Sequence, residues 1–203
     1  MNKENLLLLL ETMANKIEDN KQFLTVLDAE IGDADHGINM ARGFSAVKEK
    51  LPSYADLSTG SILSDVGKTL IKVIAGSSGP LYGSAFKVAG KIIGDSEEIS
   101  YEQFVSSLEK GIEKIQFLGQ AVENEKTMLD AMLPSLRALK ERDNARDGLA
   151  FAVEEAEKGV EHTKEIVATK GRASYVGERS LGHQDPGATS YLILLTAIKE
   201  TIE

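Results

Sequence analysis

Apolar residues recur every three to four positions along most of the chain, the spacing of one helix face. Leu6, Leu9, Leu10, Met13 and Ile17 predict a first helix over residues 3–18, with the run from Leu6 to Leu10 on its buried face. A short helix over residues 20–27 follows, then one over 37–50 through Ala41, Phe44 and Val47. Pro52 ends that third helix, because the residue before a proline is disfavoured in α geometry. Ser61 reads as the N-cap of a helix with Ile62, Val66, Leu70, Val73 and Ile74 on one face. Further helices are expected over 81–93, 127–142, 144–167 and 188–201. Ser100 and Gln103 form a capping box that opens one more, running to Leu118.

No stretch alternates as a strand would, and no repeat or low-complexity tract breaks the chain. The expected fold is all-α: one domain over residues 1–203, with about eight helices in an antiparallel bundle or closed barrel. Three stretches depart from helical periodicity: residues 28–37, 76–80 and 169–187. They are expected to converge at one end. The last is long for a plain connection, and long loops in compact domains are often functional.

Composition narrows the partners. Apolar residues make up 42% of the 203, enough for a sizeable core, and there is no Trp and no Cys. Disulfide and thiolate chemistry are excluded, and a thiol-free chain fits a reducing cytoplasm. A net charge of −9 argues against nucleic acid or an anionic membrane as partner. The apolar run near the N-terminus is too short to span a bilayer.

Charge also sharpens the first irregular stretch. Asp28, Asp33 and Asp35 crowd a few residues, with glycines at 32 and 37, just before the helix that begins near Gly37. Carboxylates so close repel one another unless a cation holds them. An all-oxygen set without Cys suits magnesium or calcium. The adjoining helix N-terminus favours an anion. Together these suggest a metal–polyphosphate site. An EF-hand does not fit: neither counting from Asp28 nor from Asp33 puts Gly at loop position six and Glu at twelve. Gly67-Lys68-Thr69 resembles the end of a phosphate-binding P-loop, but Ile62 stands where that motif has its first glycine and the segment reads as helix. The turn at Gly76-Ser-Ser-Gly-Pro80 is either a second phosphate cradle or a plain helix–helix turn. His162 sits among charges and reads as solvated; His183 has no partner at metal-ligand spacing and reads as structural. Asp185-Pro186-Gly187 reads as an N-cap and helix start.

Four stretches carry a family resemblance: residues 27–43; Gly76-Ser-Ser-Gly-Pro-Leu-Tyr-Gly-Ser-Ala-Phe86; Glu125-Lys-Thr-Met-Leu-Asp130; and Gly171-Arg-Ala-Ser-Tyr-Val-Gly-Glu-Arg-Ser180 with Asp185-Pro-Gly-Ala188. In this order they resemble the L subunit of dihydroxyacetone kinase, over essentially the whole chain and at the length of its stand-alone bacterial form. The resemblance implies an eight-helix antiparallel barrel with a nucleotide, ADP or ATP, at one end. It makes Asp28, Asp33 and Asp35 ligands of two magnesium ions, acting on the reaction through the metal. It makes His36, Gly37, Ile38, Asn39, Ser77, Ser78, Gly119, Thr127, Met128, Arg172, Asp185, Pro186 and Gly187 nucleotide contacts. It further implies two partners. A K subunit carries dihydroxyacetone covalently on a histidine, and a phosphotransferase-system M subunit rephosphorylates bound ADP. Phosphoryl transfer of this kind needs positioning and charge neutralisation, and no protein nucleophile.

Two positions depart from the family pattern. Ala34 and Asn124 stand where glycine is usual, which brings a strain cost if the backbone there has positive φ. A non-catalytic nucleotide-binding regulator of a transcription factor or partner enzyme is the alternative reading. Intact Asp28, Asp33 and Asp35 favour catalysis over it. The nucleotide domain of a fatty-acid kinase is a third, and His36 with Ser78-Gly-Pro-Leu-Tyr82 resembles the dihydroxyacetone family instead.

Overall fold

A computed structural model describes residues 1–202. They form nine α-helices: α1 Lys3–Asp19, α2 Lys21–Ile31, α3 His36–Lys50, α4 Thr59–Val73, α5 Ser78–Ile93, α6 Tyr101–Gly119, α7 Leu129–Lys140, α8 Ala145–His162 and α9 Pro186–Ile202. Two 3-10 segments, Leu51–Tyr54 and Arg172–Ser180, complete the secondary structure, and there is no strand among the described residues. The fold is all-α, as the periodicity predicts.

Several of the helices start where a side chain takes up a free backbone N–H. Asn2 accepts from Asn5 N at 2.9 Å, and Asn144 from Asp147 N at 3.0 Å. Ser100 and Gln103 make the expected box, at 3.1 and 3.0 Å. Ser61 is not a cap. Its own N–H donates to Ser58 Oγ at 3.3 Å, so α4 begins three residues earlier than the apolar pattern suggests.

Packing runs in sequence from α3 to α9, and α1 closes the ring by touching both α9 and α3. The helix α2 lies outside this ring against α3 and α9. Leu6, Leu10, Phe44, Ile62, Leu70, Ile112, Leu139 and Leu195 face inward from the ring helices and are buried. Side chains do not fill the interior completely. An apolar cavity of about 130 Å³ remains among residues such as Leu9, Met13, Phe86 and Phe104.

Helices α4 and α5 bring their backbones close together. A Cβ on Gly67 would run into the Gly83 carbonyl oxygen, and one on Gly60 into those of Gly90 and Gly94. Gly67 therefore serves helix packing, which gives the P-loop look-alike its physical explanation. In α7, Pro134 has no N–H to give the Asp130 carbonyl. The α8 backbone fits against that carbonyl through Gly159, where a side chain would collide with it.

Candidate functional site

One end of the ring gathers the N-termini of α3, α5, α7 and α9 around a cleft of about 260 Å³. Every site residue expected from sequence lines this cleft except Gly37 and Ile38. Ile38 is about half exposed, and Gly37 is buried where a Cβ would strike the Lys21 carbonyl oxygen. Their contribution is confined to first-turn amides of α3, which a helix leaves without an internal acceptor.

The aspartates are placed differently from the expected loop. Helix α2 continues to Ile31, because Gly32 N still donates to the Asp28 carbonyl, at 2.6 Å. Asp28 therefore sits on the last helical turn, not in a loop. Its Oδ2 accepts from Asp35 N at 2.8 Å and His36 N at 3.1 Å, so it caps α3 from the preceding helix. Asp35 occupies the N-cap position but makes no side-chain cap bond, which leaves its carboxylate to the cleft. Asp33 Oδ2 lies 3.0 Å from an Arg172 guanidinium nitrogen. Carboxylate oxygens of all three lie within 4.8 Å of one another. A trio of hard oxygens at that spacing, open on the cleft side, fits a small divalent cation such as magnesium.

Behind the cluster is a buried polar bracket. His36 Nε2 is 3.0 Å from Ser190 Oγ, and Nδ1 is 3.3 Å from Ser78 Oγ. Tyr82 Oη also meets Ser190 Oγ, at 3.0 Å. Both ring nitrogens of His36 are thus engaged by protein. Burial lowers its pKa against the opposing pull of Asp28 and Asp35. Asn39 Oδ1 accepts from Arg42 at 2.7 Å, and Arg42 in turn donates to the Val73 carbonyl at 3.1 Å. On the α5 side, Gly76 has φ 72° and Ser77 leads into the helix. Helix α5 begins three residues before the expected Leu81, since Gly79 and Pro80 fit its first turn.

The α6–α7 side is a strained turn. Gln120, Asn124 and Lys126 have φ of 47°, 69° and 59°. Asp130 holds the turn, accepting from Asn124 N at 2.5 Å and Thr127 N at 2.7 Å. Burial raises the pKa of Asp130 despite those bonds. Gly119 ends α6, and a Cβ there would meet nothing closer than 4.0 Å. Protein packing does not demand that glycine. His162 Nε2 is 2.9 Å from Asn124 Oδ1, so the exposed histidine supports this turn from outside.

The long segment after α8 closes the third side. Helix α8 stops at His162 and not at 167. Beyond it, Lys126 Nζ donates to the Thr163, Ser180 and His183 carbonyls at 2.5 to 2.6 Å, and to Ile166 at 3.3 Å. Residues 172–180 form 3-10 turns, kinked at Gly177 with φ 57°, where the sequence shows no periodicity. Asp185 is the N-cap of α9: its Oδ2 accepts from Ala188 N at 2.6 Å, and its own N–H donates to Thr163 Oγ1 at 3.0 Å. Burial pushes its carboxyl up to about 7. His183 is structural through its carbonyl; its ring Nδ1 lies 3.8 Å from Glu30. Sequence reasoning missed Lys126, Asp130, Thr163 and Ser190 as parts of this end. Lys126 and Asp130 stand within the quoted Glu125–Asp130 motif, and Ser190 is a polar residue near the start of a strongly apolar helix; Thr163 carried no legible signal.

The sequence and the all-helical ring both match known proteins. The family model described as DAK2 domain matches residues 30–200. The ADP-binding subunit DhaL of PEP-dependent dihydroxyacetone kinase 1 from Listeria innocua is 41% identical over 192 residues, covering 95% of this chain and 93% of that protein. The corresponding subunit from Escherichia coli K12 is 42% identical over 178 residues, covering 86% and 85%. The crystal structure of the dihydroxyacetone kinase of C. freundii superposes with a TM-score of 0.79 at 26% identity, over 98% of this chain and 35% of that one. Its complex with AMP-PNP and Mg2+ gives 0.77 at 25%, over 98% and 34%. The chain belongs to the DAK2-domain family, among the DhaL subunits of dihydroxyacetone kinase.

Proposed function

We propose that this chain is the nucleotide-carrying subunit of a phosphoenolpyruvate-dependent dihydroxyacetone kinase. It holds ADP or ATP in the cleft. Asp28, Asp33 and Asp35 hold two magnesium ions, and the γ-phosphoryl passes to dihydroxyacetone on a separate K subunit. An M subunit returns the phosphoryl group to ADP. The observation that carries this reading is the acidic trio, with oxygens within 4.8 Å, lining the same cleft as the starts of α3 and α5. Magnesium bound there supplies neutralisation of phosphate charge.

The chain's own residues supply position. First-turn amides of α3 and α5 offer donors to phosphate oxygens. Arg172, its side chain two-thirds exposed and paired with Asp33, adds a cation from the opposite wall. The open space beside Gly119 leaves room for a flat group between α6 and the 124–128 turn. Exposed apolar side chains adjoin the cleft residues in sequence: Ile38, Phe117, Val122 and Tyr175. Such a rim suits a docking partner that excludes water from the transfer. No helix among the described residues is long and apolar enough to cross a membrane.

The test is a coupled assay for dihydroxyacetone phosphate with the chain, K subunit, M subunit and phosphoenolpyruvate system, each omitted in turn. Native mass spectrometry of the purified chain accompanies it. Retained ADP with two magnesium ions, and turnover only with K subunit present, are the expected results. Turnover by the chain alone with ATP and dihydroxyacetone overturns the divided site.

A further inference from the structure

Lys126 is 1% exposed, yet no carboxylate lies within ion-pair distance of its ammonium among the described residues. Four backbone carbonyls surround it instead: Thr163 and Ile166 just past α8, Ser180 at the end of the 3-10 segment, and His183 before α9. Charge-assisted bonds of this kind are stronger than neutral ones, and a buried ammonium must satisfy its donors. The four carbonyls belong to the two ends of one strap, residues 163–183. Between those ends lie Gly171 and Arg172, which line the cleft. Two residues beyond His183 comes Asp185, which caps α9 beside Gly187.

Lys126 is itself fixed from the other side of the cleft. Its backbone sits at φ 59° in the turn that Asp130 holds through Asn124 and Thr127. A lysine with positive φ carries strain, which persists only where the surroundings over-determine it. The next two residues, Thr127 and Met128, line the cleft. One side chain therefore ties the Thr127 wall to the Arg172 wall. General core packing would need no charge at this place. A charge that gathers the carbonyls at both ends of a strap whose only regular structure is the 3-10 segment sets where that strap lies.

We propose that Lys126 is a positioning residue for the nucleotide site: its ammonium fixes the 163–183 strap, and with it Arg172 and the start of α9, at the distance from Thr127 and Met128 that bound ADP requires. This rests on the nucleotide-carrying reading given above. Lys126 touches no reacting group and acts through the strap.

The chain has no cysteine, so in Lys126→Cys the only thiol is at this position. Reaction of the unfolded variant with 2-bromoethylamine, then refolding, rebuilds an ammonium at the length of lysine. Iodoacetamide builds a neutral group there. Amide hydrogen exchange without nucleotide is measured along the chain, and ADP binding with magnesium by calorimetry. For Lys126→Met and the iodoacetamide product, exchange across residues 164–184 rises at least about tenfold while α4 and α5 keep their protection, and ADP binding weakens at least about tenfold. The aminoethylated protein recovers both. Exchange rising evenly through all helices makes Lys126 a general staple and overturns the proposal. So does a loosened strap with unchanged ADP affinity, equal recovery by the neutral product, or failure of both products to refold. If the unaltered chain binds no ADP, the nucleotide-carrying reading fails, while local exchange still decides whether Lys126 sets the strap.

Discussion

In the α4–α5 pair, glycines let two backbones touch: Gly67 meets the Gly83 carbonyl and Gly60 meets the carbonyls of Gly90 and Gly94. At the cleft end, glycine is missing from places that would favour it. Ala34, Asn124 and Lys126 hold φ of 60°, 69° and 59°. Buried polar groups secure that end: Asp28 on the α3 amides, Asp130 on the 124–127 turn, Lys126 on the strap and Asp185 on α9. The pair is stabilised by close packing of uncharged groups. The cleft end holds strain and buried charge, which cost stability locally and persist where function retains them. The two regions should therefore respond oppositely to mutation, one in stability and the other in binding.

The largest separation is expected from the acidic trio. Asp33→Asn and Asp35→Asn should each weaken magnesium binding and phosphoryl transfer by about 100-fold or more, beyond the loss usual for an outer partner of a metal. Helical circular dichroism and the melting temperature should change little, because neither carboxylate caps a helix or fills the core. Asp28 is the contrast: its Oδ2 also caps α3, so Asp28→Ala should lose both binding and stability. Calorimetric magnesium binding unchanged in both Asn variants would remove the trio from the site.

Next in size is the packing arm. Gly67→Ala should destabilise by about 2 kcal/mol, the usual cost of overpacking, in spite of alanine's better helix propensity. Urea denaturation measures it, and ADP affinity at low denaturant should be unaltered. A gain in stability would mean that α4 and α5 separate without penalty, and the comparison would lose its first half.

This arm also shows what the sequence could convey. The helices were legible because burial imposes a period of 3.6, as in Leu6, Leu9, Leu10, Met13 and Ile17, all buried. The aspartate trio was legible as a cluster because its members are near in sequence, and the fold brings their oxygens within 4.8 Å of one another. Ends were less so. Ser58 and not Ser61 caps α4, since capping turns on which hydroxyl reaches the N–H of Ser61. Helix α8 stops at His162, and the Thr163 carbonyl beyond it accepts from Lys126, 37 positions away. Gly67 looked like a nucleotide motif, while its partner Gly83 is visible only once the helices pack. Long-range polar contacts leave no local period, so the buried supports of the cleft were the part sequence could not reveal.

Acid–base behaviour gives a smaller, directional test. The Asp185 carboxyl titrates near 7 in the fold against roughly 3.9 in an unfolded chain. Between those values the folded state binds the extra proton, so this residue's contribution to stability is greatest below about pH 4 and declines up to about pH 7. Asp185→Asn keeps an oxygen for Ala188 N and cannot ionise. Without metal, its stability should fall less steeply than the native chain's from pH 4 to 7, with the curves parallel above. Denaturant midpoints across that range provide the measurement. Identical slopes would show that Asp185 is not the buried charge that the cleft end carries.

The smallest effects should come from the strained backbone, and they compare two residues within the same end. Ala34 has φ 60°, in the left-handed region where a Cβ is penalised by about 1 kcal/mol. Asn124 has φ 69°, but asparagine tolerates that region better than alanine does. Its side chain also meets His162, at 2.9 Å, a contact that glycine would lose. Ala34→Gly should therefore raise stability by several tenths of a kcal/mol up to about 1, after the entropy of the freer unfolded chain is subtracted. Asn124→Gly should be neutral or slightly destabilising. ADP affinity in Ala34→Gly should be at least that of the native chain, since the aspartates on either side keep their geometry without strain. Thermal melts and calorimetry on the two variants distinguish these outcomes. If Ala34→Gly binds ADP much more weakly, the methyl group or the rigidity it imposes between Asp33 and Asp35 is part of how the cluster is held. The strain at Ala34 would then belong to the site's function and would not be a tolerated cost.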